Sequence, residues 1–388
     1  MAPSRRGLGG PRATRRITTA TGIAVVASLA IASSGLAMNF GPAVVLYSGG
    51  GHSWPTVDDI AAKGPVVAVA WTRQLFEQPT FLRWSRDGGA TFAPKVTLDD
   101  RTGAAIDTCA GSVWAVTQDG IDGIAHLDGW RLDGAAHSHW PLAAGSHGGD
   151  VACVGNRALA TAWERNVNGA VRVKLQVRTI TSGNLSPATT FDLGTTNRPD
   201  ELSVAATNHD IQVTWMKGRK LQLKRFDVGP GADPEVTPLP TQTVTTFVTD
   251  QAGSPLVAAD ASRVVLAYKY REDARVRVSE NGGASFGTFH TLVDNTTGDV
   301  FIARPYSLDA FGGRIAANAE SAGGDSALTQ LFVSQDGVAW SKASQSPGWQ
   351  AAALFGTAAS PRIGEAWDNY FHYPRPDHGK IRFHEGPA

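Results

Sequence analysis

The 388-residue chain is poor in charge, in cysteine and in long apolar runs. Only 18% of its residues are charged, and 35 lysines and arginines balance 35 aspartates and glutamates. No basic surplus is present to track a phosphate backbone, so nucleic acid is not an expected partner. Two cysteines are too few for a cysteine-rich zinc site or a disulfide scaffold. No phosphate loop, dinucleotide fingerprint or metalloprotease helix motif occurs, so no cofactor or metal is implied. Beyond Leu46 no segment is apolar for long enough to span a bilayer as a helix. What the chain has instead is glycine, 43 residues, and tryptophan, 11 residues. That balance suits many short strands joined by tight turns.

The charge is uneven along the chain. Residues 1–37 carry five arginines (Arg5, Arg6, Arg12, Arg15 and Arg16) and no acid, which leaves 30 basic and 35 acidic residues in the body. After this basic leader, Ile17 to Ala37 is apolar and small, and Gly35-Leu36-Ala37 offers small residues at the −3 and −1 positions of a cleavage site. The expectation is a secretory signal over 1–37, with an uncleaved anchor as the alternative. Thr14-Arg15-Arg16-Ile17 resembles a twin-arginine signal, so export runs by that route or the general one. The mature chain is then expected outside the cytosol, with no membrane attachment after cleavage. There, Cys109 and Cys153 are more readily bridged than free.

An apolar strand ending in an aromatic and then a polar pair recurs along the chain. Val67 to Trp71, Val113 to Thr117, Leu159 to Trp163, Ile211 to Trp215, Val264 to Tyr268, Ile315 to Ala319 and Arg362 to Trp367 are the copies. Most have a partner strand just upstream across a tight turn, as Leu202 to Ala206 has before Asn208-His209. A repeat of about 45–53 residues fits a four-stranded propeller blade. The reading is an all-β chain, one β-propeller domain over 38–388, with seven four-stranded blades; six blades with one misread repeat is the alternative. The last blade is one strand short, and Ala43 to Tyr47 is placed to close the ring. Cys109 and Cys153 stand in nearly the same place in successive copies, which predicts either a bridge between adjacent blades or two small core residues.

One turn is written three times: SRDGGATF at 85–92, SENGGASF at 279–286 and SQDGVAW at 334–340. Serine and aspartate side chains bind nearby backbone groups, and the glycines permit positive φ, so the turn reads as a structural fastener. Asp87, Gly89, Asn281, Gly283 and Asp336 are its key positions, and Asp128-Gly129-Trp130 reads as a decayed remnant. The pattern resembles the Asp-box, or BNR repeat, of the sialidase-like propeller superfamily. Asn281 replaces the acid in the second copy, and the third is one residue short. The resemblance implies the propeller fold, with these turns on the side away from an active centre.

In such a ring, residues before each first strand and after each second strand converge on one rim. Asp58, Asp59, Asp107, Glu201 and Asp368 are the candidate catalytic acids, since glycoside hydrolysis normally uses a pair of carboxylates. Trp54, Arg73, Arg165, Arg198, Tyr270, Arg271, Arg304, Tyr306 and His372 are candidate substrate contacts. His372 belongs to a loop dense in aromatics and histidine, Asn369 to His378. The bland alternative for each is a turn cap or a solvated strand end. A true sialidase is expected to use three arginines, a tyrosine with a nearby glutamate, and an aspartate acid/base. Arg198, Arg271 and Arg304 are available, and Tyr268, Tyr270 or Tyr306 for the phenol. The early arginine of an FRIP-like stretch is missing, because no arginine lies between Arg16 and Arg73. The functional expectation is an exported hydrolase acting on an extracellular glycan or polysaccharide. The alternatives are a propeller that only binds a carbohydrate or protein, and a polysaccharide lyase using His372 and Tyr373.

Overall fold

The computed structural model describes residues 40–49, 54–74, 79–98, 101–119, 124–134, 137–199, 201–293, 302–323, 326–348, 350–368 and 380–388. The candidate leader over 1–37 and the loop containing His372 lie outside them. Every regular element described is a β-strand. The strands form seven antiparallel sheets, so the protein is a seven-bladed β-propeller. The innermost strands of blades 1 to 7 are Trp54–Lys63, Arg101–Cys109, Ser146–Val154, Leu202–Ala206, Ala252–Asp260, Ile302–Phe311 and Gln350–Thr357. Blades 1, 2, 5 and 6 have four strands in sequence order. In blades 3 and 4 two short segments share the outermost position, Asn184–Leu185 with Thr189–Thr196, and Val236–Pro238 with Gln242–Thr246. The third strand of blade 3, Ala170–Thr181, is long enough to pair with both.

Blade 7 takes its outermost strand, Val44–Ser48, from the start of the described chain, paired with Lys380–Pro387. The strand expected to close the ring therefore does so, and it covers an edge that would otherwise offer unpaired backbone groups.

The sequence dictates this radial arrangement through side-chain size. Innermost strands crowd toward the axis and are rich in alanine: Ala104, Ala152, Ala205, Ala258, Ala352 and Ala353 are all buried. Farther out the blades diverge, and large side chains fill the wedge. Trp71 packs between blades 7 and 1, Trp114 between 2 and 3, Trp215 between 3 and 4, and Tyr268 between 4 and 5. Second strands are buried on both faces, which is why they read as unbroken apolar runs.

The repeated turns fasten one blade to the next. In the first, Gly89 N–H donates to Ser85 Oγ (2.8 Å), and Thr91 donates from its N–H to Asp87 Oδ1 (2.8 Å) and from its hydroxyl to Oδ2 (2.5 Å). The Thr91 hydroxyl, the Ser85 hydroxyl and the Thr91 N–H together hold the Asp87 carboxyl down to about 2. Asn281 keeps the same acceptor role toward Ser285 N–H (2.9 Å), so the exchange of acid for amide preserves the turn. In the short copy, Asp336 Oδ1 accepts from the N–H groups of Val338 and Ala339 (2.8 Å each). A Cβ at Gly89 would lie 2.1 Å from Phe383, one at Gly283 3.3 Å from Leu223, and one at Gly337 2.5 Å from Val278. Each of these partners sits on the third strand of the preceding blade. Close approach between blades thus adds to positive φ as the reason for glycine.

Asp128-Gly129-Trp130 is not a turn. It lies within the third strand of blade 2, Ala125–Arg131, and Gly129 is there because a Cβ would strike the Trp114 ring at 2.3 Å. Cys109 and Cys153 form a disulfide joining the innermost strands of blades 2 and 3, with Cα atoms 6.1 Å apart.

Candidate active site at the channel mouth

The innermost strands enclose an axial cavity of about 330 Å³. Four of its wall residues tie successive blades together through one repeated contact. Asp59 accepts from Ile60 N–H on its own strand and from Ile106 N–H on the next blade (2.8 Å each). Asp107 does the same with Thr108 and Cys153 (2.6 Å each), and Asp309 with Ala310 (2.8 Å) and Leu354 (2.7 Å). Asp150 accepts from Val151 (2.8 Å), Val204 (2.7 Å) and the Ser203 hydroxyl (2.9 Å). Burial raises all four carboxyls: Asp150 to about 6, Asp309 to about 7, Asp59 well above its ordinary value and Asp107 upward, with Lys63 opposing the shift at Asp107. Two of the candidate acids, Asp59 and Asp107, therefore have both carboxylate oxygens engaged in joining blades.

Asp58 is placed differently. In blades 1, 2, 3, 5 and 6 the pairing of the first two strands slips at the entry end and leaves extra residues unpaired. These are Asp58, Gly103, Gly148, Ser254 with Pro255, and Tyr306. Bulges of this kind re-aim a side chain. In blades 2, 3 and 5 the residue is left-handed, with φ of 65° at Gly103, 54° at Gly148 and 50° at Ser254. In blades 1 and 6 the bulge instead carries an acid and a phenol. The Tyr306 hydroxyl donates to Val57 O (2.5 Å), reaching from blade 6 to blade 1 across the mouth of the channel. Asp58 accepts from the Thr72 hydroxyl (2.6 Å) and from Ala104 N–H, yet burial outweighs both and raises it to about 7. Burial also pushes the Tyr306 phenol well up, with the charges of Asp58 and Asp368 acting the same way, Arg304 opposing and Glu320 adding. Asp368 ends the second strand of blade 7 and is buried.

Beside the mouth, between blades 4, 5 and 6, lies a charged pocket of about 360 Å³ lined by Arg198, Glu201, Asp250, Lys269, Arg304 and Glu320. Glu201 rests on Gly253, where a Cβ would come within 2.4 Å of Oε1. Burial raises its carboxyl, while Arg198, Ser254 N–H and Lys269 act the other way. Arg198 faces Glu201 at 3.8 Å and donates to the carbonyls of Asp250 and Ala252. Arg304 donates from Nε to Glu320 (2.6 Å).

Of the residues singled out from sequence, Asp58, Asp368, Tyr306 and Arg304 come together at the mouth, and Arg198 and Glu201 in the adjoining pocket. Arg271 does not join Arg198 and Arg304. It is left-handed (φ 58°), and its guanidinium lies over Tyr270 at 5.5 Å. Tyr270 stacks on Phe247 at 5.1 Å and meets Arg275 at 4.7 Å. Arg165 donates to Ala144 O (3.1 Å), and Arg73 is the penultimate residue of the second strand of blade 1. Trp54 opens the innermost strand of blade 1, and its side chain, like His372, is outside the described residues. Asp309 was not singled out, and Asp150 was placed on the rim from sequence but not among the candidate acids. Their signal is an acid inside an apolar innermost strand, as in Leu308-Asp309-Ala310, recurring from blade to blade. Among the described residues, no group of three or more histidines, cysteines or acids has the geometry to hold a metal ion.

No family model and no curated protein matches the chain. Solved structures resemble it in architecture. The β-propeller domain of the trilobed protease from Pyrococcus furiosus is 9% identical, with 85% of this chain and 93% of that one covered and a TM-score of 0.49. Aleuria aurantia lectin is 12% identical over 79% and 97%, with a TM-score of 0.47. An acylaminoacyl peptidase is 11% identical over 80% of this chain, which spans about half of the peptidase (49%), at a TM-score of 0.49. Peptidases and a lectin thus appear side by side, and at these values the likenesses assign no activity. The propeller fold rests on the strand pairing itself, and the sialidase-like resemblance on the three turns.

Proposed function

We propose that the chain is an exported, glycan-active hydrolase whose chemistry sits at the mouth of the axial channel, with Asp58 as general acid. The observation that carries this reading is the bulged Asp58, raised by burial to about 7, beside the bulged Tyr306. An acid raised that far keeps its proton into the neutral range and suits donation to a glycosidic oxygen. Export is supported by the basic leader with its apolar stretch and by the disulfide, which persists in oxidising compartments.

The sialidase-like scheme assigns the remaining roles. Tyr306 Oη bonds to the anomeric carbon as the glycosidic bond breaks. Its proton passes to a neighbouring carboxylate, Glu320 or Asp368, and Asp58 protonates the departing oxygen. Ionised Asp58 then takes a proton from the water that attacks the anomeric carbon, the bond to Tyr306 Oη breaks, and the phenolate recovers its proton from the neighbouring carboxylate. Arg304, paired with Glu320, holds the carboxylate beside the phenol. The second reading is a propeller that binds a glycan without cleaving it. The hydrogen bonds already made by Tyr306 and Asp58 favour it, because both groups serve the ring as well.

The test is incubation of the mature chain with sialosides, neutral glycans and uronate-containing polysaccharides, followed by mass spectrometry of the products. Cleavage by the wild type, lost in Asp58→Asn, supports the hydrolase. Binding of a glycan without turnover moves the reading to the lectin-like alternative, and unsaturated products point to a lyase.

A further inference from the structure

The mouth is lopsided. On the side of blades 4 to 6 the charged pocket lies beside it. On the side of blades 2 to 4 it opens into a cleft of about 300 Å³, lined among others by Gly103, Ala104, Gln118, Gly148, Gly149 and Leu202. Among the described residues, no charged side chain lines this cleft. Its depth comes from the bulges: where blades 1 and 6 project Asp58 and Tyr306, blades 2 and 3 have glycine and project nothing. A Cβ built on Gly103 meets no atom of the described residues within 4 Å, which leaves space above it. Gly149 is bare for a different reason, since a Cβ there would strike Val116 at 2.6 Å.

The cleft is joined to the acid. Gly103 N–H donates to Thr72 Oγ1 (3.2 Å), the same hydroxyl that donates to Asp58 (2.6 Å), and Ala104 N–H reaches Asp58 directly. The cleft floor therefore starts at the carboxyl. A general acid faces the oxygen of the bond it breaks, so the group leaving with that oxygen departs on the acid's side. We infer that the cleft over Gly103 and Gly148 is a subsite for an uncharged sugar unit on the leaving-group side of the scissile bond. Its volume is at the small end of ligand pockets, which fits one or two sugar rings. The Gln118 amide supplies both a donor and an acceptor for sugar hydroxyls. The assignment of this unit as the leaving group rests on the proposed hydrolase; the binding of a neutral sugar there does not.

The experiment is a titration of the mature, disulfide-bonded chain with lactose and with cellobiose, followed by backbone amide shifts. The expected shifts fall on Gly103, Ala104, Gln118, Gly148 and Gly149. Gly103→Asn fills the cleft with a residue that tolerates left-handed backbone, and weakens binding by about tenfold or more. Gly64→Asn is the control. Gly64 is also left-handed and open, but sits in the first hairpin turn of blade 1 at the far end of the innermost strand, and its substitution leaves binding unchanged. No shifts at the cleft amides with either sugar, or equal affinity in the wild type and Gly103→Asn, overturns the subsite. Shifts at the cleft in a chain that cleaves no glycan retain the subsite and remove the hydrolase. Cleavage without shifts at the cleft does the reverse.

Discussion

Replacing Asp309 by asparagine makes the stability of the propeller less dependent on pH, in a direction and by an amount that follow from the channel. Asp309 joins blades 6 and 7 and is raised from 3.8 to about 7 by burial, which outweighs the lowering by the Leu354 and Ala310 N–H groups, with the charges of Asp107 and Asp260 adding a little. The unfolded chain binds this proton only below about 4. Folding therefore takes up a proton between about pH 4 and 7, and stability falls as pH rises through that window. At about 1.4 kcal/mol per pH unit, one such group accounts for about 4 kcal/mol across it. Asparagine resembles the protonated acid and titrates nowhere. The variant's stability relative to wild type should thus rise by about 4 kcal/mol from pH 4 to pH 8, most of it below pH 7. Urea unfolding of both proteins at unit pH steps measures the difference directly, and Asp58 and Asp150, present in both, cancel. A relative stability that stays level, or that falls as pH rises, refutes the view that burial governs this ring of carboxyls.

Other residues give further checks. Gly89→Ala forces a Cβ to within 2.1 Å of Phe383 at φ 96° and should cost about 3 kcal/mol in urea unfolding; a loss under about 0.5 kcal/mol contradicts the fastening role of the turn. Removing the disulfide as Cys109→Ala with Cys153→Ala frees a separation of 44 residues and should cost about 4 kcal/mol, with wild type under reductant losing a similar amount. Tyr306→Phe removes the hydrogen bond to Val57 and should cost about 1 kcal/mol of stability while abolishing turnover; full activity in this variant removes the phenol from the mechanism.

The architecture was legible because blades repeat. Second strands spell their burial as apolar runs, five of them ending in a large aromatic (Trp71, Trp163, Trp215, Tyr268 and Trp367), and Val44–Ser48 was recognisable as the strand left over. The turns were legible for the same reason, since Ser85, Asp87 and Gly89 satisfy each other locally. Asp128-Gly129-Trp130 misled because composition alone does not distinguish a glycine that turns the chain from one that admits the Trp114 ring. The divided outermost strands of blades 3 and 4 were not visible because edge strands carry little burial pattern. The site was legible only in part. Asp58 and Asp59 are neighbours in sequence, yet a one-residue slip in pairing sends one to the mouth and the other to the channel wall. Periodicity gives no sign of that slip, and the gathering of Asp58, Tyr306, Asp368 and Arg304 from blades 1, 6 and 7 depends on it.

The measurement that bears most directly on the mouth as an active site is the pH dependence of kcat/KM, on whichever glycan is cleaved, for the mature wild type and Asp58→Asn. With Asp58 as general acid at about 7, wild-type kcat/KM should fall about tenfold per pH unit above that value, and Asp58→Asn should lose the activity that titrates there. Wild-type activity level through pH 7 to 9, or Asp58→Asn with an unchanged profile, would contradict the assignment of the acid and of the site.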